Sequence, residues 1–195
     1  HDDELSSPSA GALASVPHLI MAEPCCEAEV EALVDTFVNT IDESAYLRLV
    51  SVKWPMPFLY PAGRDVRVGS GWTVREGEDA VVFGYGPWLL ANAFEAASTI
   101  EEETGATIRL VNLPWLNRID AAWLRDVIGA CRSIVTLDNH YVRGGQGDMV
   151  AAAVAELGLE PGVRVTRVGV NELPECGTND EVLAYHGLDI AGLVK

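Results

Sequence analysis

The sequence predicts an α/β protein with a mainly parallel sheet and helices on both of its faces, preceded by part of a second α/β domain. Beyond Gly77, short apolar segments alternate with segments of helical periodicity, and short strands that are apolar on both faces are typical of a sheet covered on both sides. Near position 60, prolines and aromatic residues interrupt every regular pattern. We therefore predict a smaller unit over residues 1–62 and a larger one over 63–195.

The smaller unit is predicted to hold one helix between two short strands. Over 27–41, apolar residues recur at the three- and four-residue spacing of an amphipathic helix. The acidic residues Glu27, Glu29, Glu31 and Asp35 fall off this apolar stripe. Apolar runs at 18–22 and 46–52 are predicted strands.

The larger unit is predicted to alternate strands and helices. Its four strands are expected to be parallel and to form one sheet. The predicted strands are 80–83, 107–112, 133–137 and 164–168, and the predicted helices are 88–103, 121–130, 147–157, 180–185 and 190–194.

Charge and cysteine content exclude several classes of partner. Asp and Glu number 29 against 13 Lys and Arg, a net charge of −16, which repels phosphate backbones and anionic lipid. No apolar run approaches the ~20 residues that span a bilayer. We predict no nucleic-acid and no membrane partner. The four cysteines have neither CxxC nor zinc-type spacing, so we predict no metal site. We expect small buried thiols instead. Because cysteines of this kind are typical of a reducing compartment, we predict a cytoplasmic location.

A glycine turn at Gly84-Tyr-Gly-Pro87 separates a predicted strand from a helix. Such a turn presents N–H groups to an anion, but the third glycine of a dinucleotide fingerprint is replaced by Leu89. The pattern favours a tight βα turn over a nucleotide site.

Polar residues and glycines follow the predicted strand 133–137. In open α/β sheets, ligand-facing residues lie at this edge, and His140 is suited to acid–base chemistry or hydrogen bonding. Alternatively, the polar residues cap the strand and the glycines permit close packing and positive φ. Both interpretations stay open for the residues concerned, which are Asp138, Asn139, His140, Gly144, Gly145 and Gly147.

Several segments, taken in order, resemble transketolase-like thiamine diphosphate enzymes. The segment EGEDAVVFGYGP at 76–87 is similar to the opening of their C-terminal domain, and AFEAASTIEEETG at 93–105 to its first helix. The series continues with RLVNL at 109–113, DNH and GGQG within 138–147, and GTNDEVLAYHGLDIAGLV at 177–194. VPHLI at 16–20, PCCEAEVEAL at 24–33 and YLRL at 46–49 are similar to the end of the pyrimidine-binding domain.

The resemblance implies an enzyme that transfers a two-carbon ketol, or related carbon, unit with thiamine diphosphate and Mg²⁺. In that family the glutamate that activates the cofactor and the GDG…N signature lie upstream of the matched region or on a separate subunit. We therefore expect the intact enzyme to be a homodimer and to need that missing region. The isolated chain is expected to bind no cofactor and to be inactive.

The resemblance also implies positions for site residues. The family segment that meets the sugar corresponds to residues 1–7, so His1, Asp2, Asp3 and Ser7 are predicted near substrate. Ser51 replaces the family's phosphate-binding arginine, and Lys53 is the nearest cation. The turn over 138–147 is predicted at a subunit or domain interface, and no residue is assigned to catalysis.

Two alternatives remain. The same domain order and motifs are typical of the beta subunit of 2-oxo acid dehydrogenases. A non-catalytic assembly or regulatory module with this fold is the other alternative.

Overall fold

The computed structural model describes residues 9–51, 54–159, 162–173 and 175–195. Helices and strands alternate along most of this length. In chain order the elements are α1 (Ser9–Leu13), β1 (Leu19–Ala22), α2 (Glu27–Asn39), β2 (Ser44–Leu47), β3 (Trp72–Arg75), β4 (Ala80–Gly84), α3 (Pro87–Thr104), β5 (Ile108–Asn112), α4 (Ala121–Ile128), β6 (Ser133–Tyr141), α5 (Gln146–Glu156), β7 (Arg164–Val170), α6 (Asn179–Tyr185) and α7 (Ile190–Val194).

The strands form two sheets. β1 and β2 pair in parallel in a two-stranded sheet. The other strands form a five-stranded sheet in the order β3-β5-β4-β6-β7, in which β4, β5, β6 and β7 are parallel and β3 is antiparallel. The predicted mainly parallel sheet is confirmed.

Helices cover both faces of the five-stranded sheet. Successive side chains of a strand point to opposite faces. In β4, Phe83 shares a core with Ile128 of α4 and Val150 of α5. Its neighbour Val82 packs in a second core, with Leu90 of α3 and with residues of α6 and α7. The prediction of helices on both faces is confirmed.

The two-stranded sheet is bound to the segment that follows β5. The N–H of Glu23 donates to the carbonyl of Pro114 over 2.8 Å, and the N–H of Leu116 donates to the carbonyl of Met21 over 2.8 Å. Trp115 lies between these residues, and its ring meets that of Phe37 in α2 at a centroid distance of 5.9 Å. The sheets therefore share backbone hydrogen bonds and one core.

Two short elements were not predicted. None of the predicted strands falls between Gly63 and Gly77, but β3 forms there as an antiparallel edge strand against β5. All four residues of β3 are half-buried, so the strand has no apolar run to reveal it. α1 was also missed, and at five residues it is too short for an apolar period.

Other predicted bounds need correction. β6 continues to Tyr141, past the predicted end at 137, because it goes on pairing with β7 beyond an irregularity in register. β2 is Ser44–Leu47 and starts before the predicted strand 46–52, whose last residue, Val52, lies outside the described residues.

The four cysteines are free, as the absence of paired spacing indicated. Cys25 and Cys131 are buried, Cys26 is half-buried and Cys176 is exposed, so the expectation of small buried side chains is wrong for Cys176. Within the described ranges, no helix is both long and apolar enough to cross a membrane.

Candidate functional site

The carboxyl ends of β1, β4, β5 and β6 face one another between the two sheets. Each strand ends in polar residues: Glu23 follows β1, Tyr85 follows β4, Asn112 ends β5, and Asp138 and Asn139 lie near the end of β6. All five are buried. We call this set of contacts the carboxyl-edge junction.

A buried ion pair lies at the centre of the junction. Nη1 of Arg48 donates to Oε2 of Glu23 over 2.8 Å and also to Oδ1 of Asn139. The side chain of Glu23 is fully buried and that of Arg48 is 11% exposed. Burial is the largest single effect and acts to lower the pKa of Arg48. The charge and hydrogen bond of Glu23, with Tyr85 and Tyr46, together outweigh it, so the pKa is raised and the guanidinium stays charged.

Asn139 completes this cluster. Its Nδ2 donates to Oε1 of Glu23 over 2.6 Å, so one amide contacts both members of the ion pair. Asn139 therefore links β6 of the large sheet to the ends of β1 and β2.

The glycine turn after β4 packs against the same carboxylate. Gly86 has φ of 70°, and a Cβ at this position would lie 2.3 Å from Oε1 of Glu23. Helix α3 begins at the next residue, Pro87. In a nucleotide site, a phosphate would lie beside this turn. The carboxylate of Glu23 already occupies that place, so the structure favours the interpretation as a tight βα turn.

Asp138 holds the start of helix α5. Its Oδ1 accepts from the Tyr85 hydroxyl at 3.0 Å and from the Gln146 N–H at 2.8 Å, and its Oδ2 accepts from the Gly147 N–H at 3.0 Å. Burial raises the pKa of Asp138 to about 6, although these hydrogen bonds act to lower it. The carboxylate thus supplies acceptors to N–H groups that a helix start leaves without partners.

The three glycines of the predicted turn have distinct roles. Gly144 adopts a φ of 77°, a conformation that favours glycine. A Cβ on Gly145 would lie 2.6 Å from Cγ of Asp138, and one on Gly147 would lie 2.4 Å from Oγ1 of Thr136. This geometry favours the close-packing interpretation of the turn.

His140 lies within β6, not after the strand as predicted, and only 2% of it is exposed. Its Nδ1 donates to the carbonyl of Tyr141 over 2.7 Å. Burial, together with the positive charge of Arg48, lowers its pKa, so the imidazole is neutral near pH 7. The residue lines a groove of about 610 Å³ with Arg143, Gly144 and others.

Glu29 is a junction residue that the sequence did not reveal. It lies off the apolar stripe of α2, yet it is only 2% exposed. Its carboxylate accepts from Nδ2 of Asn112 at 2.8 and 2.9 Å and from the Cys25 N–H at 2.8 Å. Its position, third in helix α2, was the available signal, because a glutamate there reaches back to N–H groups before the helix.

The remaining predicted site residues have no described position. His1, Asp2, Asp3, Ser7 and Lys53 lie outside the described residues. In the part of the chain that the structure describes, no three His, Cys, Asp or Glu side chains form a group that could hold a metal ion. The described residues therefore do not fit the Mg²⁺-diphosphate end of thiamine diphosphate, and we derive no step through that cofactor.

The junction is suited to positioning. Its carboxylates already accept hydrogen bonds from Arg48, Asn112, Asn139 and the start of α5. Such a buried network fixes two sheets relative to each other, because leaving one of these carboxylates without its partner is costly.

Fold and junction together define a layered α/β protein in which the carboxyl edge of the five-stranded sheet meets the two-stranded sheet. The chain belongs to the family described as "Transketolase, C-terminal domain", whose family profile matches residues 69–193. The resemblance found in the sequence is confirmed.

Curated relatives include two kinds of enzyme. The chain is 26% identical over 192 residues to 1-deoxy-D-xylulose-5-phosphate synthase of Phocaeicola vulgatus, which covers 92% of this chain and 28% of the synthase. It is 31% identical over 139 residues to the transketolase of Mus musculus, covering 70% of this chain and 22% of that protein. The chain thus spans less than a third of these relatives.

A solved structure shares the fold over nearly the whole chain. It is described as "Split gene transketolase, inactive beta4 tetramer", and it superposes with a TM-score of 0.83 at 27% identity. The match covers 95% of this chain and 58% of that one.

Proposed function

We propose that this chain is the C-terminal portion or subunit of a transketolase-like enzyme that transfers a two-carbon ketol, or related carbon, unit with thiamine diphosphate. The observation that carries the proposal is the family match over 69–193. Relatives named transketolase and 1-deoxy-D-xylulose-5-phosphate synthase support it.

The role proposed for each part of the chain follows the resemblance to the family. Residues 1–62 are the end of a pyrimidine-binding domain and residues 63–195 are the C-terminal domain. His1, Asp2, Asp3, Ser7 and Lys53 lie near substrate. The carboxyl-edge junction holds the two units in a fixed orientation, as a cofactor enzyme requires of the protein around its reacting centre.

The cofactor in this proposal is held by a region outside this chain. That region is an N-terminal part of the same polypeptide or a separate subunit, and it supplies the Mg²⁺-diphosphate site and the activating glutamate. The isolated chain is then inactive, and the intact enzyme is a homodimer. The structural neighbour, which is a split-gene transketolase in an inactive tetramer, supports a two-part arrangement.

The proposed compartment is the cytoplasm, with neither nucleic acid nor membrane as partner. Four free cysteines support a reducing compartment. The net charge of −16 supports the absence of polyanionic partners.

The test is reconstitution. The purified chain is first titrated with thiamine diphosphate and Mg²⁺ in a calorimeter, and we expect neither heat of binding nor turnover. It is then mixed with the polypeptide that carries the GDG…N signature in the same genome, as a fusion or a separate subunit. Turnover of a ketose donor with an aldose acceptor is expected only in the mixture.

Substrate choice separates the proposal from its first alternative. Turnover that requires a 2-oxo acid donor and an acyl acceptor would replace it with a 2-oxo acid dehydrogenase beta subunit. A stable complex with no turnover of any donor would support the assembly module.

A matched pair of variants makes the reconstitution specific. Arg48→Met breaks the ion pair at the centre of the junction, and Arg67→Met removes a surface arginine whose side chain is 78% exposed. We expect the first to reduce reconstituted activity and the second to leave it unchanged.

A further inference from the structure

Helix α2 carries apolar side chains on a face that the fold leaves exposed. Val30, Val34 and Val38 are four residues apart, so they form one ridge along the helix. Val30 is half-buried, but 43% of Val34 and 75% of Val38 are exposed. The apolar stripe of α2 is therefore wider than the part of it, around Leu33, that is buried in the core.

The valine ridge is continuous with a groove at the start of α2. The groove has a volume of about 720 Å³, and Val30 lies in its wall. Leu49, Met56 and Leu59 line it as well, and the two leucines are exposed. A contiguous apolar surface that stays exposed, with polar residues at its rim, marks a site at which another molecule binds.

A second ridge on α2 is acidic and lies beside the first. Glu27, Glu31 and Asp35 are also four residues apart, and each comes three positions before a valine of the apolar ridge. All three are exposed, and none forms an ion pair with a described residue, although Asp35 accepts a hydrogen bond from Nδ2 of Asn39. Helix α2 contains neither lysine nor arginine, so cations for this ridge have to come from a partner.

We propose that the two ridges and the groove, which we call the α2 surface, dock a basic amphipathic helix of another polypeptide. The apolar stripe of that helix packs on the valine ridge, and its lysines or arginines pair with the acidic ridge. The inference does not depend on the proposed carbon-transfer activity.

Charge decides which partner fits the α2 surface. A second copy of this chain would bring another α2 without a cation, and each copy carries a net charge of −16. An anionic lipid surface is repelled for the same reason. A cationic helix is instead attracted by the whole chain, and the acidic ridge beside the valines fixes where and in which register it binds.

The probe is a synthetic amphipathic peptide of leucine and lysine, with leucines on one helical face and lysines on the other. Its binding to the full chain is measured by fluorescence anisotropy, with a dye on the peptide. We expect saturable binding with a Kd on the order of micromolar. The affinity should fall about fivefold as the salt concentration rises from about 50 to about 300 mM.

Two control peptides separate the apolar contacts from the charge. The first has the same composition in a scrambled order, which removes the apolar face but keeps every lysine. The second has glutamate in place of each lysine, which keeps the apolar face and reverses the charge. Both should bind at least about tenfold more weakly than the probe.

Variants of the chain locate the binding site. Val34→Lys and Val38→Lys each place a cation in the apolar ridge, and each should weaken binding about tenfold. The matched control is Val16→Lys, because Val16 is as exposed as Val34 but lies before β1, outside the α2 surface. It undergoes the same change in charge and should keep nearly the wild-type affinity. Lysine is a good helix former, so α2 should stay folded, which circular dichroism verifies.

The acidic ridge is tested by removing one charge. Glu31→Gln should weaken binding of the peptide about threefold, because one ion pair is lost. Glu102→Gln removes an exposed carboxylate from α3 and should leave the affinity nearly unchanged.

Three results would overturn the proposal. The first is a failure of the probe to bind at about 100 μM. The second is equal affinity of Val34→Lys, Val38→Lys and Val16→Lys, because binding would then not use the α2 surface. The third is self-association of the wild-type chain in sedimentation equilibrium that Val34→Lys abolishes, because the occupant would then be a second copy.

Discussion

Asn139 in β6 and Glu23 after β1 lie 116 positions apart in the chain, and their side chains meet at 2.6 Å. The amide of Asn139 donates to the carboxylate of Glu23 and accepts from the guanidinium of Arg48. One side chain in the large sheet therefore satisfies both members of an ion pair that belongs to the small sheet.

Replacing Asn139 should weaken the folded state. Asn139→Leu conserves volume but removes the donor to Glu23, and the loss of one buried partner costs about 1–3 kcal/mol. The measurement is the free energy of unfolding from urea titration. Asn39→Leu, at the exposed end of α2, is the control and should change the free energy little. Equal losses in the two variants would contradict the role of Asn139.

Removing Arg48 should cost more. Arg48→Met leaves the fully buried Glu23 without the cation of its ion pair, and breaking a buried pair costs about 3–5 kcal/mol. Calorimetric unfolding measures this loss. Arg67→Met, which breaks a pair with both side chains more than three-quarters exposed, should have no measurable effect. If Arg48→Met lost no more stability than Arg67→Met, the junction would not hold the two sheets together.

Asp138 should make stability depend on pH. Its pKa is about 6 in the folded chain, against the ordinary value of 3.8 for an aspartate in water, so the folded state binds the proton more tightly. The contribution of Asp138 therefore becomes more favourable as the pH falls through 6, and it is lost as the pH rises through 6. Between pH 7 and pH 5 the change is about 1 kcal/mol.

The difference between wild type and Asp138→Asn isolates this contribution. The free energy of unfolding of each is measured at pH 5, 6 and 7. The wild type should gain about 1 kcal/mol relative to the variant on going from pH 7 to pH 5. Asp126→Asn, an exposed change on α4, should follow the wild type. A constant difference between wild type and Asp138→Asn would contradict the raised pKa.

Gly145 should not tolerate a side chain. Its Cβ would lie 2.6 Å from Cγ of Asp138, whose carboxylate is held by Tyr85 and the start of α5, so Gly145→Ala should cost about 3 kcal/mol through overpacking. Gly158→Ala is the control: its φ of 58° is strained for alanine, but no atom lies within 4 Å, so about 1 kcal/mol is expected. The measurement is thermal unfolding, in which the midpoint of Gly145→Ala should lie below that of Gly158→Ala. The reverse order would contradict the close packing of Gly145 against Asp138.

The sequence predicted the elements whose signal is local. The strand around Ile134 is rich in apolar residues, with Ile134, Val135 and Leu137 close together, and that is visible without tertiary structure. β3 was missed because Trp72 and its neighbours are half-buried at an edge and owe their pairing to β5. Glu29 was missed because its burial depends on Asn112, 83 positions later. Its place in the first turn of α2 could have revealed the bond to the Cys25 N–H, but nothing in that segment reveals the bond to Asn112.

His140 is expected to act through assembly. It is buried at the carboxyl edge of the large sheet, with its Nδ1 bonded to the carbonyl of Tyr141, and it lines the groove beside Gly144. The resemblance places the cofactor contacts on other domains, and the lowered pKa of His140 keeps it neutral near pH 7. His140→Ala should therefore shift the groove wall and weaken subunit association several-fold, with kcat of the assembled enzyme nearly unchanged.

The test separates association from chemistry in the reconstituted enzyme. Sedimentation velocity gives the dissociation constant of the assembly, and steady-state rates at saturating protein give kcat. His140→Asn retains a hydrogen-bond donor near the position of Nδ1 and should recover part of the association. His186→Ala, a change at the end of α6, is the control and should leave association unaltered. A large fall in kcat with association intact would mean that His140 is catalytic, because a residue that acts only through the interface cannot lower the rate of an enzyme that is already assembled.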